Sequence, residues 1–155
     1  MNFLDCEDLL EIPLEKTDEN GPVYHVPVML DEVAALLRPA PGMLFLDGTV
    51  GGGGHTERLL ECGAEVIGLD QDPDAIEEAR RRLVRFGSRL RLIEANFREA
   101  ESVLDDLGER RGLAGALLDI GVSSHQLDTA ERGFALMKDG PLDMRMSRSS
   151  KPGAA

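Results

Sequence analysis

The chain lacks any run of apolar residues approaching the roughly 20 that a membrane-spanning helix requires. Its first residues, MNFLDCEDLLEIPLEK, have neither the basic start nor the apolar stretch of a secretory signal. Together these absences make a cytoplasmic protein the expectation. Cysteine is scarce: Cys6 and Cys62 are the only two, far apart and without metal-ligand spacing. Neither a zinc site nor a disulfide framework is expected, and both read as free thiols, with Cys62 buried in a helix. Basic residues are outnumbered, 17 Lys and Arg against 29 Asp and Glu, for a net charge of −12. Such a balance argues against non-specific binding to nucleic acid. No segment of the sequence repeats.

What is present suffices for one globular domain. The chain has 155 residues, and its 42% hydrophobic and 30% charged content can bury a core. The acid excess is partly local: residues 1–24 hold seven acids and one lysine, net −6, and the other 131 residues carry the remaining −6. Residues 1–24 include the turn-forming cluster TDENGP and read as an acidic, weakly ordered extension. Residues 25–147 read as the folded domain and residues 148–155 as a disordered tail.

Val28, Leu30, Val33, Leu36 and Leu37 fall at helical spacing before Pro39 and Pro41, which predicts a helix over 28–37. A short apolar strand over 43–46 ends in Asp47, followed by a glycine-rich turn over 48–54. A helix over 55–62 closes at Gly63, and a second strand over 64–69 ends in Asp70. Pro73 suits the first position of the next helix, which runs to near Phe86 with Ala75, Ile76, Ala79, Leu83 and Phe86 inward. A third strand over 89–93, a helix over 97–107 and a fourth strand over 113–118, ending in Asp119, complete the pattern. Alternating strands and helices imply a parallel sheet and a Rossmann-like α/β fold. The expected strand order is 3-2-1-4, with the fourth strand at an edge. Residues 120–147 show no periodicity, and a long irregular stretch in a compact domain is usually functional.

Ligands of open parallel sheets bind beyond the carboxyl ends of the strands, and each predicted strand here ends usefully. The first leads into Asp47-Gly48-Thr49-Val50-Gly51-Gly52-Gly53-Gly54-His55, where glycines let a ligand lie against bare backbone. Asp70 follows Gly48 by 22 residues, a spacing at which an acid accepts hydrogen bonds from ribose hydroxyls; it could instead cap the next helix, although Asp72 is better placed for that. Phe97 could stack on an adenine ring or belong to the core. Asp119 could stand beside the transferred group or serve a turn. The dinucleotide fingerprint Gly-x-Gly-x-x-Gly is not met, since the window from Gly51 lacks its third glycine. S-adenosylmethionine has no pyrophosphate and does not require that register. His55 opens a helix, where a cationic ring is disfavoured, and reads as a cofactor or packing residue and not as a base.

These runs, with Leu69-Asp70-Gln71-Asp72-Pro73-Asp74-Ala75, resemble the cofactor loops of the bacterial 16S ribosomal RNA (cytosine-N4)-methyltransferase family, also called the MraW family. The segment from Leu117-Leu118-Asp119-Ile120-Gly121-Val122-Ser123-Ser124 to Gln126-Leu127-Asp128 is similar to another of its motifs. So are Glu131-Arg132-Gly133-Phe134, the run from Asp139 to Met146, and the opening His25-x-Pro27-Val28-Met29-Leu30. The chain departs from the family at His125, Ala135-Leu136 and Ser147. The resemblance implies S-adenosylmethionine as cofactor, with contacts at Gly53, Gly54, His55, Asp70, Phe97, Asp119 and Gln126. It implies methyl transfer to N4 of a cytidine in the 16S RNA of the small ribosomal subunit, without a metal. Asp119 and Asp143 are the candidate acceptors for the N4 hydrogens. The family's proteins are longer and continue into a helical insertion and further strands. The chain is therefore expected to hold a C-terminally incomplete fold of four strands, to self-associate through its exposed sheet edge, and to bind the cofactor poorly. A non-catalytic cofactor-binding remnant is the rival reading, and a nicotinamide dehydrogenase a third.

Overall fold

A computed structural model of the chain describes residues 27–121, 130–134 and 139–141. The elements follow one another as α1 (Leu30–Leu37), β1 (Leu44–Asp47), α2 (Gly54–Glu61), β2 (Glu65–Asp70), α3 (Pro73–Leu83), β3 (Leu90–Glu94), α4 (Ala100–Asp106) and β4 (Gly115–Leu117). All pairings are parallel and the strand order is β3-β2-β1-β4, as the alternation of elements implies.

The pleat of β1 and β2 divides the core in two. Phe45 and Val66 face one way and pack with Leu59, Leu60, Ala79 and Leu83 of α2 and α3. Leu44, Leu46, Ile67 and Leu69 face the other way, against Ala100, Val103 and Leu104 of α4. A strand covered on both faces reads as a near-continuous apolar run, as Leu44, Phe45 and Leu46 do, and all four residues of β1 are buried, Asp47 at its end included. On α3, Ala75, Ile76, Ala79 and Leu83 form the buried stripe. Pro73 opens that helix, and the Asp72 side chain caps it by accepting from the Asp74 amide at 3.2 Å.

Several boundaries differ from the sequence expectation. Helix α3 stops at Leu83, and residues Val84–Arg89 form tighter 3-10 turns, with Gly87 at φ 56° as the chain swings into β3. The helix expected over 97–107 starts as a 3-10 turn, Phe97–Glu99, nucleated by a capping box in which Asn96 and Glu99 bond reciprocally. Strand β4 is three residues long, not six. Cys62, expected as a free thiol, is buried just past α2 and disulfide-bonded. Spacing excludes a metal-ligand set but carries no information about the oxidation state of a buried thiol.

At the amino edge of the sheet, Arg111 makes a bidentate contact with Glu65 of β2 at 2.9 and 3.2 Å. It also bonds Glu109, which receives Arg91 of β3 at 2.6 Å. This group of four straps the segment entering β4 to β2 and β3.

Candidate functional site

The four strand ends converge on one cavity of about 280 Å³. The glycine loop supplies Gly48, Thr49, Val50, Gly51 and Gly52, α2 supplies Gly54 and His55, and Pro27 and Val28 close that side. The other side is formed by Asp70, Gln71 and Asp72 after β2, Asn96 and Phe97 after β3, and Asp119, Ile120 and Gly121 after β4.

A ladder of specific bonds fixes the loop. Gly48 N–H reaches the Leu117 carbonyl at 2.9 Å, and Val50 N–H reaches that of Leu69 at 3.0 Å. Asp47, 1% exposed, accepts from the Thr49 amide at 3.1 Å and from the Thr56 hydroxyl of α2 at 2.6 Å. Burial pushes its carboxyl up to about 6, against the lowering effect of those two bonds and of nearby His55. The Thr49 hydroxyl in turn accepts the Asp119 amide at 2.7 Å. One threonine therefore joins the end of β1 to the residue that leaves β4.

Asp70 stands at the cavity and does not take the capping role that the sequence offered as its alternative. Its carboxylate lines the cavity and accepts the Gly51 amide at 2.9 Å and the Asp72 amide at 2.9 Å. Burial raises its pKa, and the two amide bonds oppose that rise. The capping of α3 falls to Asp72. His55 Nε2 lies 3.2 Å from the Val28 carbonyl. A carbonyl can only accept, so Nε2 carries the proton in this contact, and in the neutral ring Nδ1 is left as an acceptor.

The crowding explains two glycines. A Cβ on Gly48 would lie 2.5 Å from Leu118 Cδ2 and 3.0 Å from Phe97 Cβ, so bare backbone lets the ends of β3 and β4 close over the loop. A Cβ on Gly54 would lie 2.1 Å from the Pro27 ring. Gly53 does not line the cavity; it sits at φ 84° before α2, facing Leu83 and Ala79. Among the sequence-derived candidates, Gly54, His55, Asp70, Phe97 and Asp119 share the cavity. Gln126 and Asp143 lie outside the described residues. Asp47, Thr49 and Gln71 stand within the motif runs of the sequence without a role of their own there, and Thr56 and Asn96 were given none. A carboxylate ending a wholly apolar strand was the available signal for Asp47.

A parallel sheet of order β3-β2-β1-β4, a glycine loop after the first strand and a cavity across all four strand ends define a Rossmann-like domain of the methyltransferase fold. Two solved structures share that fold at 20% identity and TM-score 0.51. They are the C-terminal domain of precorrin-6Y C5,15-methyltransferase from Rhodobacter capsulatus, with 68% of this chain and 58% of that one aligned, and an rRNA methylase from Streptococcus thermophilus, with 62% and 57%. The chain belongs to the MraW methylase family, whose description matches residues 22–155. Relatives named ribosomal RNA small subunit methyltransferase H are 56% identical over 127 residues in Anaeromyxobacter sp. (strain Fw109-5) and 53% over 127 residues in Heliobacterium mobile. The matches cover 82% and 80% of this chain but 41% of each relative, so the chain spans about two-fifths of the length of these proteins.

Proposed function

We propose that the cavity binds S-adenosylmethionine, and that the chain is the cofactor-binding part of an enzyme methylating N4 of a cytidine in 16S ribosomal RNA. The observation that carries the cofactor is the meeting of the glycine loop, Asp70, Phe97 and Asp119 in one cavity of a methylase-family chain. The relatives' names support ribosomal RNA as substrate. The cytidine N4 target rests on the resemblance of the motifs from Asp119 to Met146. A small-subunit RNA substrate supports a cytoplasmic location.

The donor set fits this cofactor. An ionised carboxylate offers about four acceptor positions, and Asp70 uses two on backbone amides, leaving the rest for ribose hydroxyls. Phe97 offers a flat wall for adenine. Gly51, Gly52 and Gly54 offer bare backbone, and the start of α2 offers free N–H groups for a carboxylate. Gln126 is our further candidate for that end of the cofactor.

The cofactor supplies an electrophilic methyl group on a sulfonium. The cytosine amine is a weak nucleophile because its lone pair is delocalised into the ring. The protein's task is therefore to position it and to accept its hydrogens. Asp119, exposed at the cavity, is the first candidate acceptor, and Asp143 the second. A second reading, in which these residues bind the cofactor without turning over, is favoured by their excess of acidic over basic side chains, which offers little to an RNA substrate.

Calorimetry with S-adenosylhomocysteine and NADH separates the cofactor classes. Tighter binding of S-adenosylhomocysteine is expected, and tighter binding of NADH would overturn the assignment. Asp70→Ala should weaken S-adenosylhomocysteine binding by about 1.5–3 kcal/mol, the range for a bond to a charged group. Unchanged binding would make Asp70 a loop staple alone.

A further inference from the structure

Two amide side chains meet in the cavity beside Phe97. Asn96 Nδ2 donates to Gln71 Oε1 at 2.9 Å. Carboxamide oxygen and nitrogen are hard to tell apart by shape, so their orientation must come from the bonding network. Here one backbone group decides it. The Arg98 amide lies 3.0 Å from Asn96 Oδ1 and can only donate, so that atom is the oxygen. The Asn96 nitrogen therefore faces Gln71, and Gln71 must answer with its oxygen. Glu99 holds Asn96 in this pose by accepting the Asn96 backbone amide at 2.9 Å.

Both amide oxygens are thus already engaged as acceptors. The second N–H of Asn96 and both N–H groups of Gln71 have no hydrogen-bond partner among the described residues. Both residues line the cavity. These donors are open to solvent in the cavity and so are free to take an acceptor of a ligand bound there. Next to a flat aromatic wall, the acceptor that fits is a ring nitrogen of a purine and not its exocyclic amine.

Resting on the cofactor reading above, we propose that Gln71, oriented by Asn96, recognises the cofactor's adenine by donating to a ring nitrogen. Gln71 is then a specificity-determining residue, and Asn96 a positioning residue acting through it.

The test is calorimetry with S-adenosylhomocysteine on the wild-type chain, Gln71→Ala and Gln71→Glu. It is repeated with analogues in which adenine N1, N3 or N7 is replaced by CH. Gln71→Ala should bind about three- to tenfold more weakly, the range of one neutral hydrogen bond. Gln71→Glu can still accept from Asn96 but turns an acceptor toward the ring nitrogen, so it should bind more weakly than Gln71→Ala. For one of the three analogues, wild type and Gln71→Ala should bind equally. The proposal fails if both variants bind as wild type, or if Gln71→Glu binds more tightly than Gln71→Ala, the signature of contact with the amine. It also fails if the alanine penalty persists with all three analogues, the signature of a ribose contact. Absence of any S-adenosylhomocysteine binding by the wild type overturns the cofactor reading and this one together; normal binding with indifferent variants overturns this one alone.

Discussion

Asp47 shows how far a single side chain can be set against its surroundings. Its carboxyl titrates at about 6 in the folded chain against 3.8 for a free aspartate, with burial the main cause. The folded state therefore holds this proton more tightly than the unfolded state. The stabilisation from protonation is fully present below about 4 and is lost as pH rises through about 6. At neutral pH the ionised group costs about 3 kcal/mol by this measure, at about 1.4 kcal/mol per pKa unit. Asp47→Asn keeps an acceptor for the Thr49 amide and lets Thr56 accept instead of donate. It should raise stability at pH 7 by about 1–3 kcal/mol and flatten the difference in urea midpoints between pH 4 and pH 7. A variant that is less stable at pH 7 would show that the charge is better compensated than its burial implies. Thr49 acts at the same scale. Thr49→Val removes the acceptor of the Asp119 amide. That amide should exchange about three- to tenfold faster, as for the loss of one hydrogen bond, while Thr49→Ser should leave it unchanged.

Among the elements, those with both a period and a stop signal were legible in advance. Helix α3 announces itself through Asp72, Pro73 and the stripe Ala75, Ile76, Ala79 and Leu83. β1 and β2 announce themselves as apolar runs ending in acids. Strand β4 was overestimated because the apolar run 113–118 reports a capacity for burial but not the bounds of a ladder. Leu118 is 49% exposed, and the Asp119 amide bonds the Thr49 side chain because the backbone of β1 has already turned at Gly48. The loop contact of Asp70 was hidden for a related reason. Its bond to Gly51 spans 19 residues and leaves no local pattern. Within the glycine loop, identity alone does not say which glycine is indispensable, whereas contact does. Gly54→Ala must displace the stiff Pro27 ring and should cost about 1–3 kcal/mol, as overpacking does. Gly121→Ala meets nothing within 4 Å and should be neutral in the same thermal melts. Equal melting temperatures for the two would show that the Pro27 segment yields freely.

At the scale of the whole molecule, β4 pairs with β1 on one side and has no strand on the other among the described residues. Such an edge invites pairing with a second copy, so sedimentation of the purified chain should show self-association that rises with concentration. Residues 1–24 lie outside the described residues; on their composition, limited proteolysis with the disulfide of Cys62 reduced should cut before His25 and leave the core intact. The remaining 131 residues are themselves net negative, −6, and offer no excess of basic charge for RNA. We therefore expect no turnover on unmodified 30S particles from these residues alone. Methylation at cytosine N4 would mean that the catalytic groups all lie before Ala155, with Asp119 and Asp143 the first to substitute. The strap at the amino edge acts at this scale too. Arg111 and Arg91 hold the Glu109 carboxyl well below the usual range, and the same cluster fastens the segment that leads into β4. Charge pairs at a surface weaken with ionic strength, since the screening length falls from about 10 Å at 0.1 M salt to about 3 Å at 1 M. The apolar grip on β1, β2 and β3 does not weaken in that way. High salt should thus weaken the strap on the segment entering β4, read as faster exchange of its amides, while the ladder to β1 and the packing of Leu113 persist. The brine of the medium would then act as a dial on the entry to β4, at the end of the sheet opposite the cavity.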